Sequence, residues 1–204
     1  MQLKLQKPLQ KPITGLRWQK CNPCLLYLIH LSLAVAYIAL LFYALVWEAG
    51  NIVNLPTKRI GFFNFCLWNQ ESEKLDCLTT HSLEKMGVNM IALVLSRFCV
   101  YVTPVLCLFI ATTILQSLCL KDIDGWKLAR TLLAICGLFL PSGLALFLFY
   151  TNKWVQAADL GDVFVALVGA HILFLLHLII IVLHLARSKD HLPERQFFPE
   201  RSLP

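Results

Sequence analysis

The side chains in this 204-residue chain whose types could do chemistry are eight cysteines, six histidines and a small group of carboxylates. Cys21-Asn-Pro-Cys24 has the C-x-x-C spacing of zinc and redox sites. Structural zinc takes about four ligands, however, and no second pair accompanies this one. With Cys119, these thiols sit at the edges of apolar runs, where reversible S-palmitoylation occurs; Cys99, Cys107 and Cys136 lie inside apolar runs and read as small packing residues. His177 and His184 would share a helix face about 10 Å apart along the axis, too far for one ion without further donors, and His171 would point about 120° away from His177. Hydrogen bonding inside a helix bundle is the role expected of them. Glu71, Glu73 and Asp76 fall on a polar turn with no histidine, nucleophile or metal partner placed beside them by sequence. No H-E-x-x-H, G-x-S-x-G or phosphate-cradling glycine loop occurs. The expectation is a non-enzymatic protein with no catalytic residue, metal site, cofactor or small-molecule substrate.

The elements that must position these residues are apolar. Hydrophobic residues make up 58% of the chain and charged residues 15%, and the mean hydropathy is +0.67. Soluble domains carry about 25% charged residues, so lipid must take up the excess apolar surface. Four apolar runs, at about 24–47, 88–120, 128–150 and 163–186, are each long enough to cross the roughly 30 Å of hydrocarbon. The first is too long for the roughly 7–15 apolar residues of a secretory signal. Pro104 in the second run and Pro141 in the third are expected to kink their helices, and Ala166 and Ala170 in the fourth have the spacing that lets helices approach closely. Lys121 to Lys127 reads as a tight turn containing Gly125, with Asp122 and Asp124 as turn residues.

Charge sets the orientation. Lys4, Lys7, Lys11, Arg17 and Lys20, three basic residues around the 121–127 turn and four after residue 186 make twelve on one side, against five on the other. The positive-inside rule then places both termini in the cytosol. The net charge of +6 is thus accounted for by topology rather than by nucleic acid. The expected organisation is a cytosolic arm (1–23), a four-pass domain (24–186) and a disordered cytosolic tail (187–204). The first outer loop would span 48–87 and the second 151–162, in a plasma membrane or an endomembrane.

Cys66 and Cys77 are the only cysteines in the long outer loop, and that compartment is oxidising. A disulfide across the polar run between them would contribute about 3 kcal/mol. The residues before Cys66 alternate as one strand, with Ile60, Phe62, Asn64, Cys66 and Trp68 on one face and Gly61, Phe63, Phe65 and Leu67 on the other. Aromatics on both faces mean that this strand should be covered by protein or by the membrane surface. Counting back about 20 residues from Lys121 puts the start of the second helix beyond the bilayer, so that Arg97 would sit at the outer interface and could hydrogen-bond the loop.

Gly61-Phe62-Phe63-Asn64-Phe65-Cys66, followed by Cys77, resembles the G-L-W-x-x-C then C signature of the claudin and peripheral-myelin-protein group of tetraspan proteins. Trp47, just after the first helix, and Arg97, early in the next, resemble that group's tryptophan and arginine. Phe62-Phe63 stands where Leu-Trp is usual, the second outer loop is short, and the chain ends in Arg-Ser-Leu-Pro rather than a Tyr-Val type PDZ ligand. The run from Phe42 to Asn69 is also similar, more specifically, to a vertebrate tetraspan family without an established biochemical activity. The resemblance implies a claudin-like fold: a four-helix transmembrane bundle bearing a small, disulfide-pinned antiparallel β-sheet in the first extracellular loop.

Taken together, the expected protein is an interaction or regulatory tetraspan. It would bind other membrane proteins, or copies of itself, through a loop surface containing Trp47, Gly61, Phe62, Phe63, Phe65 and Trp68, with Arg97 anchoring loop to helix. An auxiliary or pore-forming transport subunit, using the histidine-bearing fourth helix, is the alternative. Palmitoylation is tested by acyl-exchange labelling: the wild type should incorporate label, and the Cys21→Ser/Cys24→Ser/Cys119→Ser variant should not.

Overall fold

The computed structural model describes residues 23–70, 73–120 and 122–190; the basic arm with Cys21, the loop residue Glu71 and the tail beyond residue 190 lie outside them. The chain runs through α1 (Pro23–Phe42), a π-helical turn over Tyr43–Trp47, strands β1 (Val53–Leu55), β2 (Lys58–Ile60), β3 (Phe65–Asn69) and β4 (Lys74–Cys77), and the short helix α2 (Thr80–Lys85). Then follow α3 (Met90–Leu120), α4 (Ile123–Thr151), a 3-10 turn over Ala157–Asp159, and α5 (Asp162–Asp190).

The four long helices, α1 with its π-turn, α3, α4 and α5, are each long and apolar enough to span a bilayer. A segment that crosses hydrocarbon must satisfy its backbone internally, which a helix does. The chain is therefore an integral, multi-pass membrane protein. Helix α3 packs along α4, α4 along α5, α5 along α1, and α1 against α3, closing the ring.

Small residues set how closely these helices approach. A side chain at Gly143 of α4 would lie 2.8–3.0 Å from Val100, Cys99 and the Ser96 carbonyl of α3. That space is used instead by a hydrogen bond in which Ser96 Oγ donates to the Gly143 carbonyl at 2.6 Å. Ala166 and Ala170 of α5 are buried as well. Where lipid offers no hydrophobic drive between helices, such close contact supplies the association energy.

One local expectation is corrected. Residues 123–127, expected in a turn, are helical, because α4 already begins at Ile123. Asp122 caps it by accepting from the amides of Asp124 and Gly125 at 3.0 and 3.2 Å, so Gly125 lies within the helix. Both α3 and α4 run unbroken through Pro104 and Pro141. Beside Pro104, Thr103 Oγ1 donates to the Cys99 carbonyl at 2.8 Å.

The four strands form one antiparallel meander in the order β1-β2-β3-β4. Ile60 pairs with Phe65 in the β2–β3 hairpin, and Cys66 lies directly opposite Cys77 in the β3–β4 hairpin, where the two sulfurs are bonded. Residues 60–68 are consequently not one strand. Gly61 to Asn64 form the hairpin connection, closed by the Gly61 amide donating to the Asn64 carbonyl at 2.7 Å. The alternation expected from sequence breaks there, so that Ile60, Phe62, Phe65 and Cys66 are all buried.

Backbone contact explains why a glycine opens this connection. A Cβ on Gly61 would lie 2.5 Å from the Gly50 carbonyl oxygen and 2.7 Å from Asn51 Cα. Gly61→Ala must therefore push the two segments apart, at a cost of about 1–3 kcal/mol. In micelles it should lower the unfolding midpoint. Gly137→Ala, whose added Cβ meets nothing within 4 Å, should leave the midpoint unchanged or slightly raised. Equal midpoints for wild type and Gly61→Ala would contradict this packing.

Candidate functional site

The sheet lies at the end of the bundle where α1 finishes and α3 begins, and it is joined to the helices in two places. The first is the Gly61–Asn64 connection. Gly50, held at φ +66° in the left-handed region, turns the chain out of α1, and its carbonyl accepts from the Phe62 amide at 3.2 Å. The Phe62 ring is fully buried, 4.8 Å from Phe147 of α4 and 6.0 Å from Tyr101 of α3 between ring centroids. Burying a phenylalanine stabilises by about 1.5–3 kcal/mol.

Arg97 of α3 closes the same connection from the other side. Its Nε donates to the Phe62 carbonyl at 2.5 Å, and its guanidinium carbon lies 4.9 Å from the centre of the Phe63 ring. A hydrogen bond from a charged donor contributes about 1.5–3 kcal/mol, and a cation–π contact at a partly exposed site about 0.5–1 kcal/mol. Phe62 therefore has its amide, carbonyl and ring all engaged by the bundle and by the end of α1. Asn64 adds a bond from Nδ2 to Asn51 Oδ1 at 3.0 Å.

The second joint ties the sheet to the α4–α5 connection. Lys58 of β2 reaches Asp159 at 2.5 Å and donates to the Trp154 carbonyl at 3.3 Å. The Gly161 amide donates to the Ile52 carbonyl at 3.0 Å, and Phe65 packs edge-on against Trp154, 5.6 Å between centroids. Hydrogen bonds from Lys58 and from the Gln156 amide hold the Asp159 carboxyl below its ordinary range.

The residues singled out from sequence separate into three groups. Gly61, Phe62 and Phe65 face inward, with Arg97 beside them. Phe63 and Trp68 remain 59% and 45% exposed on the sheet and its connection. Trp47 stands apart from both, 82% exposed at the end of the π-turn that finishes α1. Cys119 is exposed at the far end of α3, on the same side as the start of α1, where Cys24 lies. Asp76 accepts from Asn69 Nδ2 at 2.8 Å across the β3–β4 hairpin.

Sequence reasoning missed both halves of the Lys58–Asp159 joint. From sequence, Lys58 counts only toward topology, and 101 positions separate the pair. A lysine in an apolar-flanked strand facing a short acidic connection is the signal that could have found it.

His30, His177 and His184 lie deeper in the bundle, away from the sheet. His177 is fully buried and paired with His30 of α1, Nδ1 of His30 to Nε2 of His177 at 2.9 Å; His30, alone on its helix, gives no sign of this pairing in the sequence. Among the described residues, no three His, Cys, Asp or Glu side chains converge to hold a metal ion.

If Arg97 anchors the connection, Arg97→Gln should lower the unfolding midpoint and speed reduction of Cys66–Cys77 by mild reductant, with Arg97→Lys in between. The expected loss for the glutamine variant is about 1.5–3 kcal/mol. Wild-type behaviour of both variants would show that the contact carries no weight.

The sequence matches the TM140 protein family over residues 19–195. No solved structure matches the chain.

Proposed function

The chain belongs to the TM140 protein family, and from that premise we propose that it is a non-enzymatic, claudin-like tetraspan that binds other membrane proteins through the exposed face of its sheet. The observation that carries this reading is the contrast within one connection: Phe62 is fully buried while Phe63, the next residue, is 59% exposed. Together with Trp68, Phe63 places aromatic surface on an element that a disulfide and two joints hold still. Aromatic side chains on a preorganised surface bind with little ordering cost.

In this reading both termini are cytosolic, as the excess of basic residues on their side calls for. The sheet then stands on the non-cytosolic side, where Cys66–Cys77 persists. Cys66–Cys77, the hairpin connection and Arg97 support the claudin-like part of the proposal, since the group's signature residues fall on them.

The test is proximity labelling from a cytosolic tag, comparing wild type with Phe63→Ser/Trp68→Ser at matched surface amounts and with Cys66–Cys77 intact. The double variant should lose several-fold of the labelling of specific membrane neighbours, since hot-spot aromatics each contribute about 2 kcal/mol or more. An unchanged set of neighbours would mean that binding does not use this face.

A further inference from the structure

Deep in the bundle, away from the sheet, α1 and α5 are joined by two histidines that nothing in the proposed binding role uses. His30 and His177 are both fully buried, and their rings meet at 2.9 Å. A neutral imidazole has one N–H and one bare nitrogen, so this bond uses a donor from one ring and an acceptor from the other. It leaves His30 Nε2 and His177 Nδ1, one bare and one protonated, both buried and without a partner, and the buried Tyr37 hydroxyl is in the same condition. Buried polar groups are nearly always paired, and ionisable groups at membrane depth are costly enough to mark function.

The groups around the pair are the following. On α1, Tyr37 packs near His177, 5.9 Å between centroids. On α4, the Trp126 ring lies 4.8 Å from His30 and 4.9 Å from His184 of α5. His184 is 6.2 Å from His30, and Arg187 follows it three residues later on the same helix. Cys107 of α3 and Cys136 of α4 are buried in the same core as Tyr37.

We propose that the His30–His177 pair is a proton-binding switch, closed between α1 and α5 while the rings are uncharged and opened by protons taken up from the medium. The chemistry follows from what an imidazolium can do. Each bare ring nitrogen accepts one proton. A ring protonated at both nitrogens only donates, so two such rings cannot share a hydrogen bond. Positive charge on His30, His177 and His184 would then accumulate beside Arg187, and the helices would part there. His184, only partly buried, is the ring through which protons would enter. This switch is independent of the binding face on the sheet.

The test uses the full chain in micelles with Trp126 as the sole tryptophan (Trp18, Trp47, Trp68 and Trp154→Phe). An imidazolium within cation–π range of an indole perturbs its emission. Between about pH 7.5 and about pH 3, Trp126 emission should fall about twofold or more. Over the same interval the unfolding midpoint should drop, and His30→Gln/His177→Gln, which keeps hydrogen-bonding groups but no titratable ring, should show less than half that drop. Contributions from the Lys58–Asp159 joint are common to both proteins and cancel. Flat emission would overturn the proposal without recourse to the variant. An equal drop in both proteins would overturn it as well, and if the double variant fails to fold, His177→Gln alone takes its place.

Discussion

The hydrogen bond from Arg97 to the Phe62 carbonyl is the contact on which the geometry of the sheet end depends. It solves two problems at once. An arginine near the end of a membrane helix needs acceptors that lipid does not offer, and a hairpin connection pressed onto a bundle has backbone groups that water no longer reaches. Each satisfies the other at 2.5 Å. Because the Phe62 amide is also bonded to Gly50 and its ring fills the crevice between α3 and α4, the connection has one position rather than several. Gly61 and Gly50 are glycines for that reason, the first because the backbones touch there and the second because the chain turns through a left-handed conformation.

With that point fixed, the sheet becomes an extension of the bundle. Lys58 and Gly161 supply the second attachment on the far side, and Cys66–Cys77 holds β3 and β4 in register. What remains outward is a short aromatic and charged face that does not have to be ordered before it can be used. Preorganisation of this kind is the physical basis of the proposed binding role. The histidine pair deeper in the bundle uses the same economy: a polar contact between helices, made where little else polar exists.

Much of the fold is legible in residue order because its causes are local. Twenty or more apolar residues in a row admit little but a spanning helix, and Cys66 and Cys77 are adjacent enough across a polar turn to suggest their own bridge. The place of Arg97 near the start of α3 follows from counting residues back from Lys121. The Gly61–Asn64 connection is not legible, because Phe-Phe-Asn-Phe alternates as a strand would and only the approach of Gly50 and Asn51 makes a bend there favourable. Asp122 reads as part of a turn because a capping aspartate and a turn aspartate are the same residue in the same neighbourhood. Lys58–Asp159 and His30–His177 join positions 101 and 147 apart, and no periodicity connects them. The resemblance groups Trp47 with the loop, whereas its position on the last turn of the first span leaves it exposed there.

The central claim is that sheet and bundle form one mechanical unit, and hydrogen–deuterium exchange of the wild-type protein in nanodiscs measures this most directly. The amides whose bonds join the sheet to its supports, those of Phe62 and Gly161, should exchange as slowly as those of the sheet-internal bonds at Trp68 and Leu78. Fast exchange at Phe62 and Gly161, with Trp68, Leu78 and α3 still protected, would show that the sheet opens independently of the helices and would contradict the account.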